Sequence, residues 1–408
     1  MRRVVVTGVG VVSALGCDVD TSVKRLRVYK NAVKSLKELE QVNGLHASLA
    51  APIEDFCVPQ HYTRKVLRTM GPVSVMAVYA SEQALNQAGL IDSPILNSGR
   101  VGVAYGSSFG SARPVYDFYS MVQTNEVGGI TSSSYIKIMP QTTAVNISLH
   151  FKTTGRLIPS GTACTSGSLA IGYAYEAIKS GAQDVMIAGG AEEFDATQVA
   201  VFDTLYATSV KNNTPDITPA PFDANRDGLV IGEGAGTLIL EEYEHAVNRG
   251  AKILAEIIGF GTNTDGTHIT QPNQYTMAKC MQLALDDAGV VADNVDYVNM
   301  HGTGTLQGDI AESLATESVM GANTPVSSLK SYVGHTLGAC GALEAIWTIY
   351  MMRDGWFAPT LNLNKPDERC GKLDYIMESG REIDARIAMS NNFAFGGINT
   401  SLIFKRGE

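Results

Sequence analysis

A cysteine caught between a strand and a helix sets the frame for this chain. Ser160-Gly161-Thr162-Ala163-Cys164-Thr165-Ser166-Gly167-Ser168 is small and turn-competent, and it runs directly into Leu169-Ala170-Ile171-Gly172-Tyr173-Ala174-Tyr175-Glu176-Ala177-Ile178, an apolar helix with small packing positions. Asp184-Val185-Met186-Ile187-Ala188-Gly189-Gly190 reads as the strand that follows. Strand, turn, helix and strand in that order make a βαβ unit, which commits the region to an α/β fold. The turn also suits a reactive thiol. Backbone N–H groups and the positive end of a helix dipole favour thiolate over thiol, and small neighbours admit a substrate carbonyl. An isolated cysteine is more often a small buried hydrophobe, so the rest of the chain has to decide.

The alternation extends both ways. Val4 to Ser13 reads as an opening strand, Val73 to Ala88 as a helix packed through Ala77, Ala80, Ala84 and Ala88 and stopped by Gly89, and Val101 to Gly106 as a buried strand. Lys34 to Glu40 is a charged helical patch, and a further helix ends near Gly155. Residues 107–140 are rich in Ser, Gly and aromatics, including Phe109, Tyr116 and Tyr135, and suit a lid or subunit contact. A second series of strands and helices starts at Ile253 to Phe260. We therefore expect two similar α/β halves, residues 1–250 and 251–408, related by element order with little residue-level self-similarity.

Bulk properties exclude several functions. A net charge of −10 argues against nucleic acid or an anionic membrane as partner. The six cysteines, at 17, 57, 164, 280, 340 and 370, form no C-x-x-C pair and no ligand spacing with histidine, so neither zinc nor a disulfide framework is expected, and a reducing cytoplasm fits. Met1-Arg2-Arg3 and the run to Cys17 have the outline of a signal peptide ending in a lipidated cysteine. The run is short, β-branched and punctuated by glycine, which fits a strand and turn better. No other run is long and apolar enough to span a bilayer. Gly8-Val9-Gly10 lacks the third glycine of a dinucleotide fingerprint. Asp223 to Gly228 starts like a calcium loop, but the twelfth position is Gly234, with Glu233 one place early.

Three more loops carry chemistry. His301-Gly302-Thr303-Gly304-Thr305 follows the strand-like Val295 to Met300, where open α/β sheets build their sites. Lys330-Ser331-Tyr332-Val333-Gly334-His335 is a loop running into a helix, and Asn391-Asn392-Phe393-Ala394-Phe395-Gly396-Gly397-Ile398-Asn399 is a glycine-bearing turn after Ile387-Ala388-Met389. With Thr162-Ala163-Cys164, Pro221-Phe222-Asp223 through Arg226-Asp227-Gly228 to Gly232-Glu233-Gly234-Ala235-Gly236, and Gly308-Asp309, these pieces give the chain its resemblance. Along essentially its whole length it resembles the β-ketoacyl-acyl-carrier-protein synthases, decarboxylating condensing enzymes of thiolase fold, and among them the type II elongation synthases of bacterial fatty acid and polyketide pathways.

The resemblance implies a five-layered αβαβα fold, a dimer, and an acyltransferase whose substrates ride on the phosphopantetheine of acyl carrier protein with no bound cofactor. It makes Cys164 the acyl-accepting nucleophile, with backbone N–H groups of Cys164 and Phe395 as the oxyanion hole. His301 and His335 would stabilise the enolate left when malonyl carrier loses CO2, and neutral imidazoles suit that task. Lys330 matches the family's active-site lysine, and an ion pair with Glu344 is an equally good account of it. Thr303 and Thr305 would bond the pantetheine arm, Phe393 and Phe395 would meet substrate, and Asp309 would support the site. Phe109 would lie at the subunit interface and close the far end of the acyl pocket. Ala394 and Ile398 replace the glycine and threonine of many relatives and should stiffen a loop that moves to admit acyl chains.

Two other readings stand beside the elongating ketosynthase. One is a chain-length factor, the inactive partner in a ketosynthase heterodimer, which lacks the nucleophilic cysteine that Cys164 supplies here. The other is a thiolase-like enzyme using acyl-coenzyme A, whose paired-cysteine chemistry is not evident. Fatty acid synthesis and a specialised polyketide such as an aryl polyene both fit, as do a homodimer and a heterodimer with a related subunit. Arg64, Lys65 and Arg68 are the best basic cluster for an acidic carrier.

Overall fold

The computed structural model describes residues 1–407. Two runs of the same element order build it. The first is β1 (Val4–Ser13), α1 (Pro72–Ala88), β2 (Val101–Gly106), α2 (Thr142–Phe151), β3 (Leu157–Ser160), α3 (Ser166–Lys179), β4 (Val185–Glu192) and β5 (Gly234–Glu242). The second is β6 (Ala255–Thr264), α4 (Gln274–Ala288), β7 (Tyr297–Asn299), α5 (Leu306–Met320), β8 (Pro325–Ser327), α6 (Cys340–Asp354), β9 (Ile387–Ala394) and β10 (Ile398–Arg406).

Each run makes a mixed five-stranded sheet with the same strand order, β3-β2-β4-β5-β1 and β8-β7-β9-β10-β6. In both, the first three strands are parallel and the last two antiparallel. Antiparallel pairing of Val4–Val6 with Ala255–Ile257 joins the two sheets, and the short strand Asp374–Tyr375 extends the far edge. Helices α3 and α6 lie between the sheets, α1 and α2 cover the outside of one, and α4 and α5 the outside of the other. This is the five-layered αβαβα arrangement of the thiolase fold.

Glycines explain how tightly the layers close. A Cβ at Gly8 would lie 2.2 Å from the Ala84 carbonyl oxygen and one at Gly10 1.9 Å from that of Ala80, so the Gly-x-Gly of β1 is a seat for α1. The second half repeats it: a Cβ at Gly259 would lie 2.4 Å from Ala284 O and one at Gly261 2.3 Å from Cys280 O. Both helices end on a left-handed glycine, Gly89 and Gly289, whose N–H groups return to the last turn. These few glycines are matching positions in the two halves, set by the same strand-on-helix contact.

Two local expectations also change. Lys34 to Glu40 is not one helix but the two-residue strand Lys34–Ser35 and the single turn Lys37–Glu40, since the Leu36 N–H bonds Ser48 O across a small sheet. Helix α2 stops at Phe151 with Lys152 in the left-handed region (φ 56°), and Gly155 instead pairs its N–H with Val101 O. Residues 107–140 carry the helices Arg113–Thr124 and Ser132–Ile138, which leave Tyr116, Tyr119 and Tyr135 exposed.

Candidate active site

The nucleophile's turn is held by small polar side chains. Ala163 takes φ 49°, a left-handed conformation uncommon for a residue with a Cβ. Ser166 Oγ bonds both Thr162 N (2.9 Å) and Ala163 O (2.7 Å), and Ser160 Oγ donates to Ser166 O at 2.7 Å. Cys164 is thereby presented at the start of α3, buried, with its sulfur 2.9 Å from His335 Nε2. His335 Nδ1 accepts the Leu337 N–H at 3.3 Å, so its proton sits on Nε2 and points at the sulfur.

His301 is fixed from below and behind. Glu312, buried on α5, accepts the His301 N–H at 2.6 Å and the Gly302 N–H at 2.7 Å. Lys330 Nζ lies 3.1 Å from His301 Nδ1 and 2.5 Å from Glu344 Oε1, and Asn392 Nδ2 approaches the same ring nitrogen at 3.4 Å. Two donors on Nδ1 leave the His301 proton on Nε2 as well. The two rings stand edge to face with centroids 5.2 Å apart. Buried together, Cys164, His301 and His335 have the composition of a metal site. The tautomers leave no imidazole lone pair facing the sulfur, so the donor set does not fit an ion.

Burial dominates the titrations. Both imidazoles fall well below their ordinary value because burial and the Lys330 charge penalise imidazolium, with His335 adding to the effect on His301. The Cys164 thiol is pushed up to about 11 by burial, against Lys330 and the backbone N–H groups of Phe395 and Cys164. The Lys330 charge and the two N–H groups favour the thiolate, and burial works against them. Burial pulls the Lys330 ammonium down, but Glu344 and its other neighbours outweigh it and the net shift is upward. Burial lifts Glu344 as well. We take the pair as ionised, because Asn392 at 2.8 Å and Asn299 at 3.5 Å complete the carboxylate.

A cavity of about 580 Å³ opens onto these groups, lined by Cys164, His301, His335, Thr303, Thr305, Phe393 and Phe395 among others. The hydroxyls of Thr303 and Thr305 are 2.9 Å apart on its wall. Asp309, fully buried, accepts N–H groups of Phe222, Thr303 and Gly304 and lies 3.4 Å from Arg226 Nε, which shapes that wall from behind. The turn after β9 is tied to a neighbouring loop by Gly396 N to Ile269 O and Asp265 N to Gly397 O, both 2.7 Å. Ala394 and Ile398 face each other across the hairpin that carries it. The Phe395 ring packs on Phe202 at 5.2 Å. Phe109 does not join the lining of this single chain; it is 42% exposed on the segment after β2. Arg64, Lys65 and Arg68 are exposed at a single-turn helix, Arg64–Leu67, and do not line the cavity either.

Two buried residues at the site escaped sequence reasoning. Glu312 lies in an ordinary-looking helix and carried no signal. Asn392 did, since Asn391-Asn392 interrupts a strand that is otherwise apolar or small up to that point.

The comparisons agree with this geometry. The family description "Beta-ketoacyl synthase, N-terminal domain" matches residues 1–246, and "Beta-ketoacyl synthase, C-terminal domain" matches residues 254–364. The chain is 36% identical over 409 residues to 3-oxoacyl-[acyl-carrier-protein] synthase 1 of Haemophilus influenzae, covering 100% of this chain and 99% of that one. A crystal structure of a β-ketoacyl synthase from Burkholderia phymatum STM815 superposes with a TM-score of 0.99 at 57% identity, covering 100% of both chains. The ishigamide ketosynthase/chain length factor does so with a TM-score of 0.91 at 31% identity, again covering 100% of both.

Proposed function

The chain belongs to the β-ketoacyl synthase family, and from that premise we propose that it condenses an acyl chain held on Cys164 with malonyl-acyl carrier protein, giving 3-oxoacyl carrier and CO2. The observation that carries this reading is the contact of Cys164 with His335 Nε2 at 2.9 Å, in a cavity that also receives the Nε2–H of His301. A partner subunit without a nucleophile has no use for that arrangement.

The chemistry follows from the proton positions. An acyl thioester on the carrier is attacked by the Cys164 sulfur, and the thiol proton ends on the departing carrier thiol, so the transfer needs no net base. N–H groups of Cys164 and Phe395 receive the tetrahedral oxyanion. Once the sulfur is a thioester it is a poor acceptor, which frees the His335 Nε2–H. His335 and His301 then both donate to the malonyl thioester oxygen, where charge gathers as the carboxylate leaves as CO2. The enolate carbon attacks the Cys164 thioester, the carbon–sulfur bond breaks, and solvent returns a proton to the thiolate. Lys330 keeps both imidazoles neutral and donates to His301. Thr303 and Thr305 hold the pantetheine arm, and Phe393 and Phe395 bound the acyl chain.

Residues 1–250 supply the nucleophile and 251–408 both imidazoles and Lys330, and the enzyme works as a dimer that places Phe109 at the end of a neighbouring acyl pocket. The substrates bring their own phosphopantetheine, so no separate bound cofactor is required. No helix among the described residues is long and apolar enough to cross a membrane. We place the enzyme in the cytoplasm, acting in fatty acid or polyketide elongation.

Mass spectrometry after incubation with acyl carrier protein tests the reading. An adduct on the parent that is lost in Cys164→Ala, with CO2 released from malonyl carrier, is the expected result. A parent that is neither acylated nor decarboxylating overturns it.

A further inference from the structure

We propose that Asn392 is a positioning residue for the condensation, holding Glu344 away from His301 so that the His301 proton stays on Nε2 and faces the substrate. The inference rests on the decarboxylative reading above.

Asn392 lies near the end of β9 and is 1% exposed. Its Nδ2 donates to Glu344 Oε2 at 2.8 Å and approaches His301 Nδ1 at 3.4 Å and Cys340 Sγ at 3.7 Å. Its Oδ1 is buried with no partner. That oxygen rests on the bare Cα of Gly341, where a Cβ would lie 2.7 Å from it. Flipping the amide would turn the oxygen toward the Glu344 carboxylate and the ring acceptor, so one orientation alone is tenable. An orphaned buried carbonyl carries a desolvation cost that leucine, of similar volume, avoids. Packing therefore does not account for the asparagine, and its donor does.

The groups facing the His301 ring are Lys330, His335, Cys164, Cys340 and Glu344, with Glu312 holding its backbone. Glu344 is the carboxylate that shares Lys330 and Asn392 with His301 Nδ1. If it swung to Nδ1 it would draw the proton there, and Nε2 would turn a lone pair toward the enolate oxygen. Lys330 holds Glu344 Oε1, and Asn392 holds Oε2. The amide thus blocks the tautomer that would end catalysis, without adding charge beside the thiol.

The test compares Asn392→Leu and Asn392→Asp with the parent enzyme, measuring Cys164 acylation by mass and CO2 release from malonyl carrier across about pH 5.5 to 8.5. Acylation should stay within about twofold, while CO2 release at neutral pH should fall about 10²-fold in both. The acid limb of CO2 release should move to higher pH, further for Asn392→Asp, because a carboxylate beside the ring favours imidazolium. A merely structural asparagine would lower both partial reactions together and leave the limb in place, and that result overturns the proposal, as does undiminished CO2 release in Asn392→Leu. If Asn392→Leu does not fold, Asn392→Ser carries the same expectations. A parent enzyme lacking both partial reactions removes the underlying reading, whereas an active parent with uniformly weakened variants removes only the part assigned to Asn392.

Discussion

Lys330 can be catalytic, structural or both, and the buried pair allows these to be separated. Its Nζ sits 2.5 Å from Glu344 and 3.1 Å from His301 Nδ1, with both partners of the ion pair almost fully buried. Lys330→Met removes the charge and strands the Glu344 carboxylate, and breaking a buried pair in this way commonly costs about 3–5 kcal/mol. Unfolding entropy of roughly 2.1 cal/mol/K per residue over 408 residues converts that to a fall in Tm of about 3–6 °C. Glu344→Gln in the same chain restores neutrality and keeps an acceptor for Asn392, so the double variant should recover most of the lost Tm. Activity should not follow. With no cation on His301 Nδ1 the imidazole loses its fixed tautomer, and CO2 release from malonyl carrier should stay about 10²-fold or more below the parent. Thermal scans and CO2 assays on the two single variants and the double variant make the cycle. A double variant that regains both Tm and CO2 release would refute the orienting role and leave Lys330 as half of an ion pair.

Four further expectations follow from the site. His335→Ala should still be acylated on Cys164 yet release CO2 about 10²–10⁴-fold more slowly, and an equal loss of both steps would refute the division of labour. Because burial holds both imidazoles well below 6.5, the acid limb of CO2 release should lie on the acid side of that value, and a limb above it would show that imidazolium is less disfavoured than its burial requires. Charge reversal at Lys65 and Arg68 should raise the carrier KM most at low salt, and an unchanged KM would remove that surface as the docking site. Phe109→Ala should raise kcat/KM for longer acyl carriers relative to short ones, by about tenfold for each two-carbon unit admitted at roughly 0.8 kcal/mol per methylene; a uniform loss or dissociation of the dimer would refute a role in chain length.

What was legible in the sequence was whatever follows from local pattern. The β-branched run that became β1, the apolar runs that open β4 and β9, the alanine seam of α1 and the glycine stop at Gly89 all declare themselves in a window of a few residues. The reactive side chains were legible for a related reason: Cys164 and His301 follow strand ends, His335 lies in the loop before a helix, and all three stand among glycines and small residues where nothing else needs them. Glu312 and Asn392 were not, because their roles depend on partners that the fold brings from other elements, His301 for one and Glu344 for the other. The balance at the Cys164 thiol depends on the fold in the same way. Sequence shows the helix start that favours thiolate but not the burial that opposes it.

The duplication explains why one fold with two equivalent turns has a single nucleophile. Ala163–Thr165 precedes α3 as Leu337–Ala339 precedes α6, and Ala163 and Leu337 share the same unusual φ, 49° and 46°. Gly167 and Gly341 then occupy the same place in their helices and let the two N-termini touch: a Cβ at Gly167 would lie 2.8 Å from Gly338 O, and one at Gly341 2.8 Å from Ser168 N. By this correspondence Gly338 stands where the first half has Cys164. A side chain there would meet Glu192 and the Ser108 N–H, each 2.7 Å from its Cβ. The second half therefore cannot carry a thiol at that turn without displacing a buried carboxylate. What it contributes instead comes from the residues before the turn, Lys330 and His335, and from the end of β7, His301. The seam between the halves thus places the Cys164 thiol of one copy against the His301 and His335 imidazoles of the other, which is the asymmetry that the proposed condensation uses.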